Sequence, residues 1–345
     1  MSVYYLTILT TGIAAWIAQL SEQRMLKSFF VFFTAIILAL VAGLRWGVGA
    51  DYFQYALNYS GYSASNLTEL VQFEIGIRVI SVVSQYLYDD YATMFFIASL
   101  LTIGLFVFTI AKNSNMFVFS ILLFIFIGSW NGTFNAVRQF LACAVLFAGH
   151  RYIIERNFLK YLLVVGIATA FHVSAIIMLP LFFIAARKVD FKQILLLTFA
   201  VIILIFSYDY LFTVAGILKD STIEMDSYMT TQVSIWRVAV NFAPLGLLLL
   251  RTGNDKMITD FNFYLNMLII NAAVMAATMN SAYLARVGIY TTIYTTIALP
   301  KILERFDSKT AMILKFIIVS CYAIYWYIEV SANPSLNDFT WIFER

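Results

Sequence analysis

The chain has 345 residues, of which 62% are hydrophobic and 12% charged, and its formal net charge is +3. This composition exceeds what a soluble core of that size requires, and the continuous apolar runs exclude the short alternating segments of a transmembrane β-barrel. We therefore predict an all-α, polytopic membrane protein with about 10–12 transmembrane helices plus short re-entrant or interfacial helices, as one integral membrane domain over residues 1–345.

The apolar runs, in chain order, are 2–20, 28–44, 91–111, 115–129, 135–152, 159–186, 193–207, 233–250, 261–280, 284–300 and 311–330. The first run has no basic segment before it and no cleavage site after it, so we interpret it as a retained span. The segment 74–88 is amphipathic and is predicted to lie in the interface or to re-enter. Two long outer loops, 45–73 and 208–232, are typical of binding or lid segments.

Lysine and arginine cluster in alternate connections, which the positive-inside rule assigns to the cytoplasm. These residues are 15 of the 22 basic ones: Arg24, Lys27, Lys112, Arg151, Arg156, Lys160, Arg187, Lys188, Lys192, Arg251, Lys256, Lys301, Arg305, Lys309 and Lys315. The outer face retains Arg45, Arg78, Arg138, Lys219, Arg237, Arg286 and Arg345. Arginine presents a planar fork suited to phosphate and carboxylate, so this bias predicts anion binding on the outer face.

The segment 159–186 is flanked by basic residues on both sides, which a single crossing does not permit. An even number of passes resolves the conflict. We predict two short helices, 159–171 and 173–186, forming a re-entrant pair broken near His172. One long tilted helix is the alternative.

Two polar constellations occur at outer helix ends in the first half of the chain. Arg45 and Asp51 stand among three glycines that allow close backbone approach to a ligand, and an ion pair ordering the loop is the alternative. On a continuous helix, Asn131, Asn135 and Arg138 would form one polar stripe. A helix cap with an outward-reaching Arg138 is the alternative, but it leaves Asn135 and the neighbouring Gln139 unexplained.

Two further candidates are His172, within an apolar stretch, and Arg286, which helical spacing places beside Tyr290 and Tyr294. A lone buried histidine is more often structural than catalytic, and tyrosines at helix ends are common in interfacial belts, so both readings stay open. Asp89 and Asp90 have no evident third ligand, and the cysteines stand within apolar runs. We predict no metal, no cofactor and no disulfide.

Several segments together resemble the EpsG-like and Wzy families of bacterial polysaccharide polymerases. They are Gly43-Leu-Arg45, Gly49-Ala-Asp51-Tyr52, Phe73-Glu74-Ile-Gly76, Phe134-Asn135-Ala-Val-Arg138-Gln139, and Ala-Phe-His172-Val-Ser174 leading to Leu-Pro180-Leu. Each motif alone is weak, but their order and spacing over 43–181 are specific. The second half matches in hydropathy and in Arg286.

The resemblance implies a glycosyltransferase of the bacterial inner membrane, with a fold similar to the lipid-dependent (GT-C-like) glycosyltransferases. Such an enzyme moves a growing glycan from one undecaprenyl diphosphate to the terminal sugar of a lipid-linked repeat unit, on the periplasmic or exterior face. The implied partners are the undecaprenyl-diphosphate-linked donor and acceptor and the lipid bilayer. A chain-length regulator is a further candidate partner, and nucleic acid is not one.

For that chemistry we expect Arg45, Arg138 and Arg286 to stabilise the departing diphosphate, and Asp51 or His172 to accept the proton of the acceptor hydroxyl. Candidate substrate-binding residues are Glu74, Arg78, Asn135, Gln139, Tyr52 and Tyr290. Rival functions are an O-antigen ligase, which shares the donor but has a different acceptor, and a flippase or exporter. A membrane O-acyltransferase is more distant.

Overall fold

The structure is a computed structural model that describes residues 1–62, 74–203, 206, 233–249, 259–279, 281 and 284–345. The helices are α1 (Ser2–Leu20), α2 (Arg24–Gly43), α3 (Tyr52–Tyr59), α4 (Ile75–Leu87), α5 (Tyr91–Asn113), α6 (Phe117–Phe126), α7 (Ser129–Gly132), α8 (Val137–Gly149), α9 (Arg151–Ile154), α10 (Phe158–Phe171), α11 (Leu181–Ile184), α12 (Phe191–Ile203), α13 (Ile235–Leu249), α14 (Thr259–Ala277), α15 (Ile289–Thr292), α16 (Thr295–Leu303), α17 (Ser308–Ser331) and α18 (Pro334–Asn337). Short 3-10 turns occupy Val173–Met178, Leu284–Gly288 and Ile342–Glu344. The predicted loop 208–232 lies outside the described residues, as does Phe73, and loop 45–73 is described as far as residue 62.

Polar side chains fix where several helices begin. Asp90 accepts a hydrogen bond from Ala92 N (2.9 Å) before α5, and Asn157 accepts one from Lys160 N (3.2 Å) before α10. Asp307 caps α17 in the same way. Each cap satisfies a backbone donor that the helix itself leaves unpaired, so these helices start where the apolar sequence begins.

The outward faces of the long helices are apolar. On α1, Leu6, Leu9 and Ile13 are 63%, 60% and 48% exposed, and on α17 Met312 and Phe316 are 63% and 75% exposed. Contiguous apolar exposure of this kind is stable where the surrounding medium is hydrocarbon. Among the described helices, α1, α2, α5, α14 and α17 are long and apolar enough to cross a membrane, and other apolar runs form shorter helices. The prediction of a polytopic all-α membrane protein is confirmed.

Several chain segments meet at one end of the bundle, which we call the loop end: residues 44–51, 131–138 and 333–345. Trp46 N donates to Thr340 O (2.8 Å), Ile342 N donates to Leu44 O (2.8 Å), and Gly49 N donates to a carbonyl of the same late segment. These bonds attach the connection that follows α2 to residues almost 300 positions later in the sequence.

The opposite end, which we call the basic end, carries the connections that are rich in lysine and arginine. Helices α1, α5 and α8 start at the loop end and finish at the basic end. Helix α17 starts at the basic end. The described basic residues of this end are Arg24, Lys27, Lys112, Arg151, Arg156, Lys160, Arg187, Lys188, Lys192, Lys301, Arg305 and Lys309. The charge asymmetry that the sequence predicted therefore corresponds to two physical ends of one bundle.

The segment 159–186 is a broken pair. Helix α10 ends at Phe171, His172 is extended (φ −151°), and the chain returns through Val173–Met178. Tyr161 Oη donates to Met178 O (2.9 Å) and Arg156 Nη1 donates to Phe182 O (3.2 Å), so the returning chain lies alongside α10. The prediction of a pair broken near His172 is confirmed, and His172 lies at the turn.

Two other apolar runs are not continuous helices. The run 115–129 is interrupted after α6, where Gly128 adopts φ +81°, and a second interruption separates α7 from α8. The run 284–300 consists of a 3-10 turn and two short helices. Hydropathy does not reveal such breaks, because non-helical backbone is tolerated at membrane depth wherever it lines a polar cavity.

Candidate active site

A carboxylate held by two basic side chains lies at the loop end. Arg138 Nη1 donates to Glu74 Oε2, and His172 Nδ1 lies 2.8 Å from Glu74 Oε1. Arg138 Nε also donates to Tyr55 Oη (3.2 Å). The Glu74 side chain is 5% exposed and that of Arg138 is 32% exposed. A nearly buried carboxylate requires such partners, because desolvation otherwise disfavours its charged form.

Each member of this cluster is placed by a break or an end in the helical backbone. Glu74 precedes α4 in a left-handed conformation (φ 76°), Arg138 stands in the first turn of α8, and His172 occupies the turn after α10. A non-glycine residue in the left-handed region costs about 1–3 kcal/mol, and such residues concentrate at functional sites. Three distant segments thus present side chains to one point.

Asp51 connects this cluster to a second group of side chains. Burial raises the pKa of its carboxyl above the ordinary value, while the positive charges of Arg286 and Arg138 act in the opposite direction. Gln139 Nε2 donates to Arg286 O (3.0 Å), which ties the first turn of α8 to the turn that carries Arg286. Asp51 therefore lies within the electrostatic reach of two arginines from different parts of the chain.

The loop that carries Asp51 packs tightly on the break before α8. Ala50 N donates to Asn135 Oδ1 (2.6 Å). Gly49 has φ +108°, and a Cβ atom added there would lie 2.4 Å from Phe134 O. The glycines were predicted to allow a ligand to approach the backbone closely, whereas at Gly49 the approaching group is the backbone of Phe134.

Beside these residues a cavity of about 300 Å³ opens between the broken helices. Its walls come from the breaks around α7, from the turn before α15, from α13 and from the end of α17. The polar side chains that line it are Ser129, Asn131, Asn135, Arg237, Asn241, Arg286, Thr292, Tyr325, Glu329 and Asn333. The breaks in the runs 115–129 and 284–300 border this polar space.

The EpsG family model matches residues 28–342, which is nearly the whole chain. The chain belongs to the EpsG family. No curated protein and no solved structure is significantly similar to it. Membership indicates a membrane protein of the polysaccharide-polymerase type, with glycosyltransferase-like chemistry, and it extends the resemblance seen over 43–181 through the second half of the chain.

In this EpsG-family protein the sequence-predicted residues Glu74, Arg138 and His172 are brought into contact, and Asp51 lies within electrostatic reach of Arg138. Asn135 and Arg286 line the adjoining cavity, and Gln139 is buried beneath it. Asn131, Asn135 and Arg138 were predicted to share one helical stripe, and this is wrong. The break before α8 instead directs Asn131 and Asn135 toward the cavity and Arg138 toward Glu74.

Arg45 is placed differently from its predicted catalytic role. Its side chain is fully buried, Nε donates to Val48 O (2.9 Å), Nη2 donates to Phe134 O (2.9 Å), and Nη1 donates to Ala42 O. The guanidinium carbon lies 4.8 Å from the ring centroid of Phe95. The guanidinium thus holds backbone segments together, and these carbonyls take the place of the Asp51 partner that the alternative reading gave to Arg45.

Three predicted substrate-binding side chains are buried outside the cavity lining. Tyr52 stacks on Phe95 with ring centroids 4.6 Å apart, and Tyr290 Oη shares a hydrogen bond with Ser174 Oγ (2.8 Å). Arg78 is 4% exposed within α4. The predicted helical alignment of Arg286 with Tyr290 is wrong, because Arg286 belongs to a 3-10 turn that ends before α15.

Sequence reasoning missed an ion pair in the cavity wall, Arg237 Nη2 to Glu329 Oε2 (2.8 Å). Arg237 was counted among the outer arginines without a role, and Glu329 was not singled out. The available signal was a solitary carboxylate near the end of the otherwise apolar helix α17, because an ionisable residue there requires a partner.

Proposed function

We propose that this protein polymerises oligosaccharide repeat units carried on undecaprenyl diphosphate, and that the Glu74–Arg138–His172 cluster beside the Arg286-lined cavity is its active site. The observation that carries the proposal is a paired carboxylate and imidazole flanked by arginines at one polar end of a membrane bundle. Acid–base groups and cations are what transfer of a glycan from a diphosphate requires.

In the proposed reaction, the hydroxyl oxygen of the acceptor sugar attacks the anomeric carbon of the donor. The bond from that carbon to the diphosphate oxygen breaks, and the lipid diphosphate leaves with the electron pair. The hydroxyl proton passes to Nε2 of His172, whose Nδ1 faces Glu74. A carboxylate on one ring nitrogen fixes the tautomer and stabilises the imidazolium, which makes the other nitrogen an effective base.

Negative charge grows on the diphosphate as it departs, so the cations must be positioned in advance. Arg138 is held by Glu74 and Tyr55, and Arg286 is anchored through its carbonyl by Gln139. The positive charges of both act on the carboxyl of Asp51. We assign the diphosphate to these two arginines and give Arg45 a positioning role, because its donors are engaged by backbone.

The site would face the exterior or periplasm. The positive-inside rule assigns the basic end to the cytoplasm, and the candidate site lies at the opposite end of the bundle. A polymer assembled there would emerge on the side to which it is exported, and the lipid carrier would stay in the bilayer beside the apolar outer faces of the helices.

The test is polymerisation by the purified protein in detergent, supplied with a lipid-linked repeat unit extracted from the producing cells. Wild-type protein should yield dimers and longer products, and Glu74→Gln should lower kcat on the order of 10²–10⁴-fold. The matched control is Glu22→Gln, which makes the same carboxylate-to-carboxamide change at an exposed residue of the basic end. It should leave kcat unchanged. Full activity of Glu74→Gln would refute the assigned site.

A deletion strain separates polymerase from ligase and flippase functions. Loss of a polymerase leaves a single repeat unit transferred to the surface carrier, whereas loss of a ligase or flippase leaves none. A strain that displays no single-unit product would contradict the proposed function.

A further inference from the structure

The cavity contains a buried hydrogen-bond donor that has no protein partner among the described residues. Asn131 is 2% exposed, and its Oδ1 accepts a hydrogen bond from Trp326 Nε1 (2.6 Å). That bond fixes the amide orientation, Asn131 lines the cavity, and no described residue accepts a hydrogen bond from its Nδ2. A buried amide donor left unpaired costs about 1–3 kcal/mol, so its position indicates a ligand oxygen.

The facing wall supplies charged groups of both signs. Arg237 and Glu329 form an ion pair at 2.8 Å, with side chains 43% and 27% exposed. Asn241 accepts from Asn271 Nδ2 (2.6 Å) and continues the polar surface inward. The cavity therefore presents donors from Asn131 and Arg237 and an acceptor from Glu329.

The presence of both hydrogen-bond donors and a carboxylate acceptor favours a sugar over a diphosphate as the ligand. A diphosphate offers only acceptor oxygens, and the carboxylate of Glu329 would repel it. A sugar hydroxyl both donates and accepts, so it can satisfy a carboxylate and an amide at once. The rings of Tyr325 and Trp326 also line the cavity, and such rings combine apolar faces with a polar edge, which suits a pyranose.

The volume limits how much of a glycan can enter. The cavity of about 300 Å³ is near the lower end of small-molecule sites and equals roughly ten water volumes. A single sugar residue fits this space. The remainder of the glycan would extend out of the loop end.

We propose that this cavity is a subsite for one neutral sugar residue of the repeat unit, bound by Asn131 and by the Arg237–Glu329 pair. The inference rests on the proposed function, since it deepens the same site. The sugar would be held beside Arg286, within reach of the groups that carry the transfer. It would be either the first sugar of the donor or the terminal sugar of the acceptor, which have the same hydroxyl chemistry.

The experiment compares KM and kcat for the extracted lipid-linked repeat unit in Asn131→Asp, Glu329→Gln and the control Asn113→Ala. Asn131→Asp keeps the oxygen that accepts from Trp326 and removes the donor. Glu329→Gln keeps the shape and removes the charge. Each should raise KM about tenfold with kcat within about twofold, as expected for one lost hydrogen bond. Among the described residues, the Asn113 side chain hydrogen-bonds within α5 at the basic end, so its variant should match wild type.

Binding of the lipid-free oligosaccharide gives a readout that requires no turnover. The probe is the repeat unit released from its lipid by mild acid, and it should change the tryptophan fluorescence of wild-type protein. The change should weaken in Asn131→Asp. Competition by the methyl glycosides of the first and the last sugar of that unit then identifies whether the donor or the acceptor supplies the residue.

Two failures are distinguishable. If wild-type protein forms no polymer, the proposed function fails. If wild-type protein polymerises but both cavity variants retain wild-type KM, or lose kcat at unchanged KM, the sugar subsite alone is overturned. Should either variant fold poorly, unchanged oligosaccharide binding in the other would overturn it equally.

Discussion

Arg45→Lys tests whether this arginine organises the backbone or contacts substrate. The guanidinium reaches three carbonyls, those of Ala42, Val48 and Phe134, from three different nitrogens. A lysine ammonium is a single point, so the substitution leaves about two of these buried carbonyls without their donor. At about 1.5–3 kcal/mol for each hydrogen bond to a charged group, the expected loss is roughly 3–6 kcal/mol.

That loss is a large part of the stability of a typical domain, so the melting temperature in detergent should fall on the order of 5 °C or more. The assay is thermal unfolding followed by tryptophan fluorescence, with polymerisation normalised to the folded fraction. Arg24→Lys is the matched control, because Arg24 is exposed at the start of α2, the helix that Arg45 follows. This substitution should leave the melting temperature unchanged. An Arg45→Lys protein that melts like wild type but has lost kcat would refute the backbone role and show that Arg45 touches substrate.

Three further predictions concern the loop end. Arg138→Lys should lower kcat on the order of 10²-fold with little change in the melting temperature. The reason is that one lysine ammonium cannot bond both Glu74 and Tyr55 as the arginine guanidinium does. A wild-type rate of polymer formation would contradict this. Gly49→Ala should destabilise by about 1–3 kcal/mol, because φ is +108° and the new Cβ meets Phe134 O, whereas Gly12→Ala has open space and should not; equal melting temperatures would count against the close packing. Arg345 hydrogen-bonds Asp90 and holds the pKa of that carboxyl below its usual range, so its stabilisation is present above about pH 3.9 and is lost as pH falls through the lowered pKa. In a pH series, the fall of the melting temperature toward acid pH should be smaller for Arg345→Ala than for wild type. An equal fall in both proteins would exclude the Arg345–Asp90 pair as its cause.

The sequence could predict which residues are polar at the loop end, but not where each side chain points. Charge placement and hydropathy put Arg45, Arg138 and Arg286 at one end, and the structure agrees that they lie there. The contact of Glu74 with both Arg138 and His172 was not predictable, because it depends on a left-handed residue before α4 and on a turn after α10. Local backbone geometry of this kind leaves no periodic signal.

Arg45 shows the opposite limit. An arginine at the end of an apolar run has the same sequence signature whether it binds a ligand or closes a turn, since both uses need the same charge at the same depth. What decides the case is the number of carbonyls within reach, and that number follows from the path of residues 46–49 and 134. For Glu329 the sequence shows that a carboxylate in an apolar helix needs a partner but does not identify it. That partner, Arg237, lies on a helix almost a hundred residues earlier.

The backbone bonds that attach residues 44–49 to residues 335–342 bear on how the protein is made. During synthesis the first two spans leave the ribosome long before the late segment exists, so the connection carrying Asp51 must wait in the membrane without its partner strand. Completion of the site is thereby postponed until almost the whole chain has been translated. A chain that stops before residue 335 would therefore lack these bonds, and the connection that carries Asp51 would be left without their support.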